Sequence, residues 1–546
     1  MLNIILLAQC AIVIGVLRLA YEKWRRKSHI NLPPGPKPLP IVGNVLDLPP
    51  KGLPQARHWK SHHDKYGPIT SITAMGQTIV VVHDLSLAIE LLDKGGVKNS
   101  SRPWLEFGWR MCGFGQFTIG LEYGYTLRLH RKLILQHIGT EQAVASTQPL
   151  IEREVGRTLV RMLEVPDNLL KNMEMNGEQR LTFDNSQAAA IILKLTYGYD
   201  INTSSNDPLL FLVRRMLNRL SAAVMPGGWL VDALPILRHI PAWCPGAGFK
   251  QTAIGWNREV LEAVNIPFQF VKRQLADKSC QPSYVSNILS KTEEEKLTPE
   301  YENTIRYSAV ALFSGGADTT YATLCFLYLA LVKYPGVLAK AHEEIDRVIG
   351  SNRLPTFADR DRLPYVEGII KEAYRWQSVV PQGLAHSSDE DQVFQGYFIP
   401  KGAAVIANTF SYTRDTRVYH DPEAFLPERY MAPYNEPDPK EYVFGLGRRI
   451  CPARIFADQS LFLTIAQTIA VFNISKAIDD HGVEIDPVLE VQPGIVARPK
   501  EYPYRLTPRS EAHALLIRSN FPAGVEDGQD HLLLKNYDLM PEQQAF

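Results

Sequence analysis

Thr298 and Pro299 read as the N-cap and first turn of a helix, and no proline follows until Pro335. The interval predicts one helix far longer than the roughly 11 to 12 residues usual in globular domains. Its midpoint reads Gly315, Gly316, Ala317, Asp318, Thr319, Thr320. Adjacent glycines each cost about 1 kcal/mol relative to alanine inside a helix, so the pair permits either close packing or a groove for a ligand. Thr319 faces the Gly315 carbonyl four residues back. A hydroxyl that draws that carbonyl, or a water, away from the helical ladder bends the helix and leaves a polar notch beside an apolar cavity. On these residues alone two readings stay open: a notch where oxygen binds, and a helix-packing notch with a solvated aspartate.

The segment FGLGRRICPA, from Phe444 to Ala453, adds a second constraint. Pro452 suits a first helical position, and Ile455, Phe456, Leu461, Phe462, Ile465 and Ile469 recur behind it at helical spacing. Cys451 is therefore expected at or next to a helix N-cap. Partial positive charge and free N–H groups there lower a thiol pKa and stabilise the anion as a metal ligand. Gly445 and Gly447 let the preceding backbone turn inward, and Arg449 offers a guanidinium to a cofactor carboxylate. Iron in a haem ring suits such a site, with cysteine as its only protein ligand. A lone cysteine is otherwise an ordinary buried hydrophobe. Position by position, Phe444, Gly447, Arg449 and Cys451 resemble the haem-binding signature of the cytochrome P-450 superfamily, and the overall wording resembles its fungal microsomal members. One departure is Ala453, where the family usually has glycine.

The resemblance implies that Cys451 is the axial ligand of haem b, with Phe444, Gly447 and Arg449 around the cofactor. It gives Asp318 and Thr319 the task of relaying protons to activated dioxygen. It also implies propionate contacts at Arg131 and His386, although the tryptophan often found four residues before the arginine is replaced by Leu127. Glu372 and Arg375 form a Glu-x-x-Arg pair on one helix face, but the same spacing recurs at Glu154 with Arg157 and at Glu344 with Arg347. Only the first precedes Pro427, Glu428, Arg429 and Tyr430, which resemble the family's PERF segment. Arg429 is expected to complete a Glu-Arg-Arg cluster that locks the cysteine loop structurally.

The 546 residues show no low-complexity linker or repeat between about residues 41 and 510, which reads as one large catalytic domain. The formal net charge is zero, arguing against nucleic acid as a partner, and six irregularly spaced cysteines suggest a reducing compartment. Residues 1–20 are mostly apolar and are followed by Tyr21, Lys23, Trp24, Arg25, Arg26 and Lys27. This fits a single-pass anchor with the catalytic domain in the cytosol, in keeping with the endoplasmic reticulum membrane. Residues 21–40 form a basic and then proline-rich hinge, in which LPPGPKPLPIVGN reads as a semi-rigid spacer. Residues 511–546 form a C-terminal extension without an assigned role.

Short β segments are expected at Ile69 to Thr73 and Thr78 to Val82 around Gly76, and at Val393 to Ile399 and Ala403 to Asn408 around Pro400 to Gly402. Most of the remainder reads helical. The fold class is mainly α with a minor β-sheet, as the resemblance also implies: a cytochrome P-450 fold with the long helix over a haem.

The implied reaction inserts one oxygen atom from O2 into a lipophilic small molecule, in fungal secondary metabolism such as terpenoid biosynthesis. No flavin or dinucleotide fingerprint occurs, so electrons are expected from NADPH through a separate NADPH-cytochrome P-450 reductase, docking near Arg448 and Lys132. The loop from Ser101 to Tyr125, Val379 to Leu384 and Gly494 to Val496 are expected to line the substrate pocket. The alternatives are a redox-independent haem-thiolate isomerase or dehydratase, whose members often lose the acid and hydroxyl seen at Asp318 and Thr319, and a non-catalytic haem-binding protein.

Overall fold

The computed structural model describes residues 31–50, 52–168, 183–202, 207–225, 227–521 and 528–539. The expected anchor and the first part of the hinge lie outside them. The helices that position the site are α1 (Gln55–Tyr66), α2 (Tyr125–Ile138), α3 (Gln148–Glu164), α4 (Phe183–Tyr197), α5 (Pro208–Ala223), α6 (Gly248–Ala276), α7 (Pro299–Lys333), α8 (Pro335–Val348), α9 (Pro364–Trp376), α10 (Arg454–Val471), α11 (Glu511–Asn520) and α12 (Asp530–Asn536).

The long helix α7 starts where Thr298 accepts a hydrogen bond from the Tyr301 N–H at 3.3 Å, and it ends at Tyr334, where Pro335 opens α8 after a bend of 101°. Its 35 residues span about 52 Å at 1.5 Å per residue. From Tyr321 to Val332 every residue is buried, the pattern of a helix enclosed on all sides. The four helices α2, α4, α6 and α10 pack around it, and their apolar side chains merge into one large core.

The described segments are mainly helical, with a four-stranded sheet and several two-stranded ladders. Strands β1 (Ile69–Ala74) and β2 (Gln77–Val82) pair antiparallel from Ile69↔Val82 to Ala74↔Gln77, closed by Met75 and Gly76 at φ 49° and 85°. The region expected as one strand from Val393 to Ile399 is instead a hairpin, β4 (Gln392–Phe394) and β5 (Tyr397–Ile399). Gln395 and Gly396 make its turn, both with positive φ. Strand β6 (Ala404–Ala407) runs parallel to β2, and β3 (His386–Ser387) pairs on its other edge, setting His386 opposite Val405. A sheet built around β2 thus fixes His386, although more than 300 residues separate these partners.

The proline-rich segment lies along β1. The Ser71 N–H donates to the Pro34 carbonyl at 2.9 Å and the Asn44 N–H to the Thr73 carbonyl at 2.7 Å. A Cβ on Gly35 would stand 1.9 Å from the Ser71 oxygen, so only glycine permits that approach. At the other end, α11 lies against α3, where the Phe521 ring fills the space beside Gly156, and α12 buries Leu534 fully. Among the described residues no single helix is long and apolar enough to cross a membrane.

Candidate active site

Cys451 lies two residues ahead of Ala453, the N-cap of α10, slightly further from the helix than its sequence spacing predicts. Pro452 and Ala453 form a turn instead of the first helical residues, and the Ala453 N–H reaches back to the Cys451 sulfur. The Cys451 N–H donates to the Phe444 carbonyl at 2.8 Å, closing the loop on itself. Burial pushes the thiol pKa up, opposed by the Ala453 N–H and by the positive charges of Arg131 and Arg454. Gly447 has φ 58°, and a Cβ there would stand 2.2 Å from the Leu92 carbonyl oxygen. This glycine anchors the loop against the turn of residues 90–94. The Phe444 ring meets Tyr374 of α9 edge-on at 5.2 Å.

Four basic side chains gather beside the loop. Arg131 on α2 acts electrostatically on Cys451, and its charge also depresses Arg449 and Arg102. Arg449 donates to the carbonyls of Ser100, Thr118 and Leu121, the second at 3.2 Å. Arg102 donates to the carbonyls of Leu384 and Ala385, each at 2.7 Å, and Ile119 at 3.0 Å. Burial, then Arg131, pushes Arg449 down to about 10, while burial, then Arg102, pushes His386 down to about 3. The neutral His386 ring donates through Nδ1 to the Asn99 carbonyl at 2.7 Å, leaving only a lone pair at Nε2. Three guanidiniums thus repel one another, and none of them forms an ion pair with a described carboxylate. The cluster is complementary to an anion.

The central segment of α7 gives its two glycines different duties. A Cβ on Gly316 would press on Ile192 of α4 at 3.0 Å, whereas a Cβ on Gly315 would meet nothing within 4 Å. Gly316 therefore serves helix packing and Gly315 faces open space. The Thr319 hydroxyl donates to the Gly315 carbonyl at 2.8 Å, so the notch edge is polar. Asp318 forms an ion pair with Arg498, from a strand near the C-terminus.

Glu372, Arg375 and Arg429 meet, all fully buried. Arg375 grips Glu372 with two hydrogen bonds of 2.8 and 2.7 Å, and Arg429 adds a third at 3.1 Å. The Tyr430 hydroxyl and the Leu426 N–H supply two more, at 3.0 and 2.9 Å. Both arginines then hold backbone carbonyls: Arg375 those of Thr413, Pro422 and Ala424, and Arg429 that of His420. Of the rival pairs, Glu154 and Arg157 do meet at 3.0 Å, but Glu344 caps α9 through the N–H groups of Tyr365 and Val366.

Residues 33–506 match the Cytochrome P-450 family. The chain belongs to that family. The multifunctional cytochrome P-450 monooxygenase af510 of Aspergillus fumigatus is 43% identical over 95% of both chains. The cytochrome P-450 monooxygenase CLM2 of Gibberella zeae is 40% identical, covering 93% of this chain and 95% of the relative. The O-methylsterigmatocystin oxidoreductase of Aspergillus flavus is 35% identical over 89% of this chain and 90% of its own length. This cytochrome P-450 is a haem-thiolate monooxygenase, an oxidoreductase.

The residues present fit the family's haem. A sulfur with a backbone N–H aimed at it, a group of arginines without anionic partners among the described residues and a glycine facing open space have the chemistry that a ligand, a carboxylate anchor and room for a ring require. Neither departure from the family pattern upsets this. Ala453 has φ −100°, open to any L-residue, and it is its N–H that reaches the sulfur. Leu127 is buried in the core one turn before Arg131. Two residues that the sequence reading missed belong to the site. Arg102 sits in the loop expected to line the substrate pocket, marked only as a base among aromatic residues. Arg498 lies 180 positions from Asp318 and carries no motif.

Proposed function

We propose that Cys451 ligates the iron of haem b and that Arg131, Arg449 and Arg102 neutralise its propionates, with Phe444 and Gly447 shaping the loop. Contact between His386 and a carboxylate requires the imidazolium, because the neutral ring turns only a lone pair toward it. His386 therefore takes up a proton when the anion binds. Glu372, Arg375 and Arg429 hold the segment that leads into the cysteine loop. Haem supplies the redox chemistry that divides dioxygen between substrate and water. The notch at Gly315 gives dioxygen a place, and Thr319, bonded to the Gly315 carbonyl, passes it protons that Asp318 delivers.

The substrate is a lipophilic small molecule of fungal secondary metabolism, a terpenoid or similar scaffold. A relative named for the oxidation of O-methylsterigmatocystin supports a small-molecule substrate. Electrons come from NADPH through a separate reductase, which meets the exposed bases around Arg448 and Lys132. The enzyme sits on the endoplasmic reticulum membrane through residues 1–20. The exposed side chains Ile41, Leu46, Leu53, Leu230, Ile236 and Trp243 support a membrane-facing surface, since their two segments lie side by side where a Cβ on Gly227 would stand 3.6 Å from the Leu48 side chain.

The observation that carries this reading is the Cys451 loop, with the Ala453 N–H on its sulfur and Arg131 beside it. Purified enzyme reduced under carbon monoxide should give the red-shifted thiolate-haem band and, with reductase and lipophilic candidates, consume NADPH in proportion to product. Product formed without NADPH would favour the isomerase instead.

A further inference from the structure

The last described helix, α12, sits where α4 ends, α5 begins and α6 ends. Gly528, just ahead of it, donates its N–H to the Ile201 carbonyl at 3.0 Å, and the Asp530 carboxylate accepts the Asp200 N–H at 2.8 Å. A Cβ on Gly528 would stand 2.1 Å from the Asp200 carbonyl oxygen, so this approach requires glycine. The residues on either side of that grip hold the foot of α5: the Tyr199 hydroxyl and the Asn202 N–H donate to Asp207, its N-cap, at 3.0 and 3.1 Å. Further along α12, the Tyr537 hydroxyl donates to Asp277, the C-cap of α6, at 2.9 Å. The Phe270 ring of α6 meets both Tyr199 and Tyr537, at 5.3 and 6.2 Å, and Leu534 is fully buried. One short helix thus ties the feet of α5 and α6 to each other.

Beyond these feet the pair has freedom to swing as a unit. Arg219 and Arg215 of α5 reach Glu259 of α6 at 2.9 and 3.6 Å, which couples the two helices. Pro267 lies inside α6 and withholds an N–H from its ladder, a weak point close to the foot. Instead of close packing throughout, α5 rests on α7 across a cavity of about 20 Å³ lined by Val213, Arg214, Phe313 and Ala317. The arm of α6 from Gly248 to Ile266 is about 28 Å long at 1.5 Å per residue, so a bend of about 5° at Pro267 moves its far end by roughly 2.5 Å. That end of the pair closes on the loop expected to line the substrate pocket. Phe107 stacks on Trp229 at 3.6 Å, meets Trp256 of α6 edge-on at 5.6 Å and donates its N–H to Asp232 at 2.7 Å. Beside it, a Cβ on Gly108 would stand 3.0 Å from the Ala223 carbonyl oxygen at the end of α5. A displacement of 2 to 3 Å, about the size of the bend above, parts such a seam.

We propose that α12 is a clamp on the feet of α5 and α6, through which the C-terminal extension sets how fast a bulky ligand enters the enzyme. With α12 docked, neither helix turns at its foot and the seam at Phe107 stays shut. When α12 lets go, the pair swings about Asp207 and Pro267 and the seam opens. Reading entry at the iron rests on the haem assigned to Cys451, whereas the clamp itself does not.

The test compares three variants of the full-length haem-loaded enzyme. Tyr537→Phe removes only the hydroxyl on Asp277, Gly528→Ala pushes α12 off Asp200, and Phe521→Ala is the control, emptying the space beside Gly156 away from both feet. Stopped-flow mixing follows the binding of clotrimazole, a bulky azole that ligates haem iron, and of carbon monoxide, which is small enough to need no opening. Tyr537→Phe should speed clotrimazole binding about two- to tenfold, the scale of one hydrogen bond, and Gly528→Ala about tenfold or more. Carbon monoxide should bind within about twofold of the parent rate throughout, and Phe521→Ala should unfold at a lower temperature yet bind clotrimazole at the parent rate. Amide hydrogen exchange should quicken in the first turn of α5 and the last turn of α6 in the two clamp variants, and not in α7. Parent clotrimazole rates in both clamp variants, an equal gain in Phe521→Ala, or unchanged exchange at the two feet would overturn the clamp. A protein that binds neither ligand would sink the haem assignment instead, and exchange, which needs no iron, would still decide the clamp.

Discussion

Glu372→Gln removes one charge and leaves the shape of the side chain. In the native protein this carboxylate accepts five hydrogen bonds, three from arginines that are themselves fully buried. An amide presents one oxygen where the carboxylate presents two, so at least one arginine arm then faces an N–H donor. Removing one partner of a buried ion pair costs about 3 to 5 kcal/mol because the other charge stays buried and uncompensated. Here two guanidiniums are affected, which places the cost at or above the upper end of that range. It approaches the roughly 5 to 15 kcal/mol that holds a whole domain together. Many large proteins unfold irreversibly, so the suitable assay is the rate at which the thiolate-haem band decays at a fixed temperature. Lys340→Ala is the control: it removes an exposed pair with Glu428, worth about 0 to 1 kcal/mol. Glu372→Gln should lose the band at least a hundredfold faster than wild type, or accumulate without haem, while Lys340→Ala decays at nearly the parent rate. A Glu372→Gln protein as long-lived as the control would show that the cluster is not what holds the cysteine loop.

Thr319→Ala should keep haem but release several times more peroxide per NADPH, and unchanged coupling would remove that hydroxyl from the relay. Arg131→Leu and Arg102→Leu should each speed haem loss to an acceptor protein about tenfold to a hundredfold, the scale of one charge-assisted hydrogen bond of roughly 1.5 to 3 kcal/mol. Equal rates in wild type and variants would exclude them as anchors. Ending the chain at Ser510 removes Leu534, Ile517 and Phe521 and uncovers the surface they pack on, including that beside Gly156; at about 1.5 to 3 kcal/mol for each buried apolar side chain lost, the truncated enzyme should be insoluble or lose haem on mild warming. Full thermal stability after truncation would show that the extension only rests on the surface.

Signals that act over a few residues were legible before any coordinates. The Thr298 cap and the two prolines bound α7 correctly, and the four-residue step from Gly315 to Thr319 foretold a hydrogen bond that is present. The fungal monooxygenase family followed from the cysteine loop. Pair spacing was weaker: Glu154 and Arg157 also meet, and only burial with Leu426, Arg429 and Tyr430 sets Glu372 apart. The strand expected at Val393 to Ile399 breaks into a hairpin because Gln395 and Gly396 adopt positive φ and turn the chain. Contacts between distant segments left no local trace, so Arg498 and Arg102 became visible only once the fold had brought them to Asp318 and Arg449.

The account turns on the atom that holds the iron. Resonance Raman spectra of the ferric haem protein, prepared with natural sulfur and with cysteine labelled with a heavier sulfur isotope, test it most directly. An iron–sulfur stretch that shifts with the label, and is absent from Cys451→Ser, is the predicted result. A band that ignores the label, or a spectrum typical of nitrogen in the axial position, would contradict it.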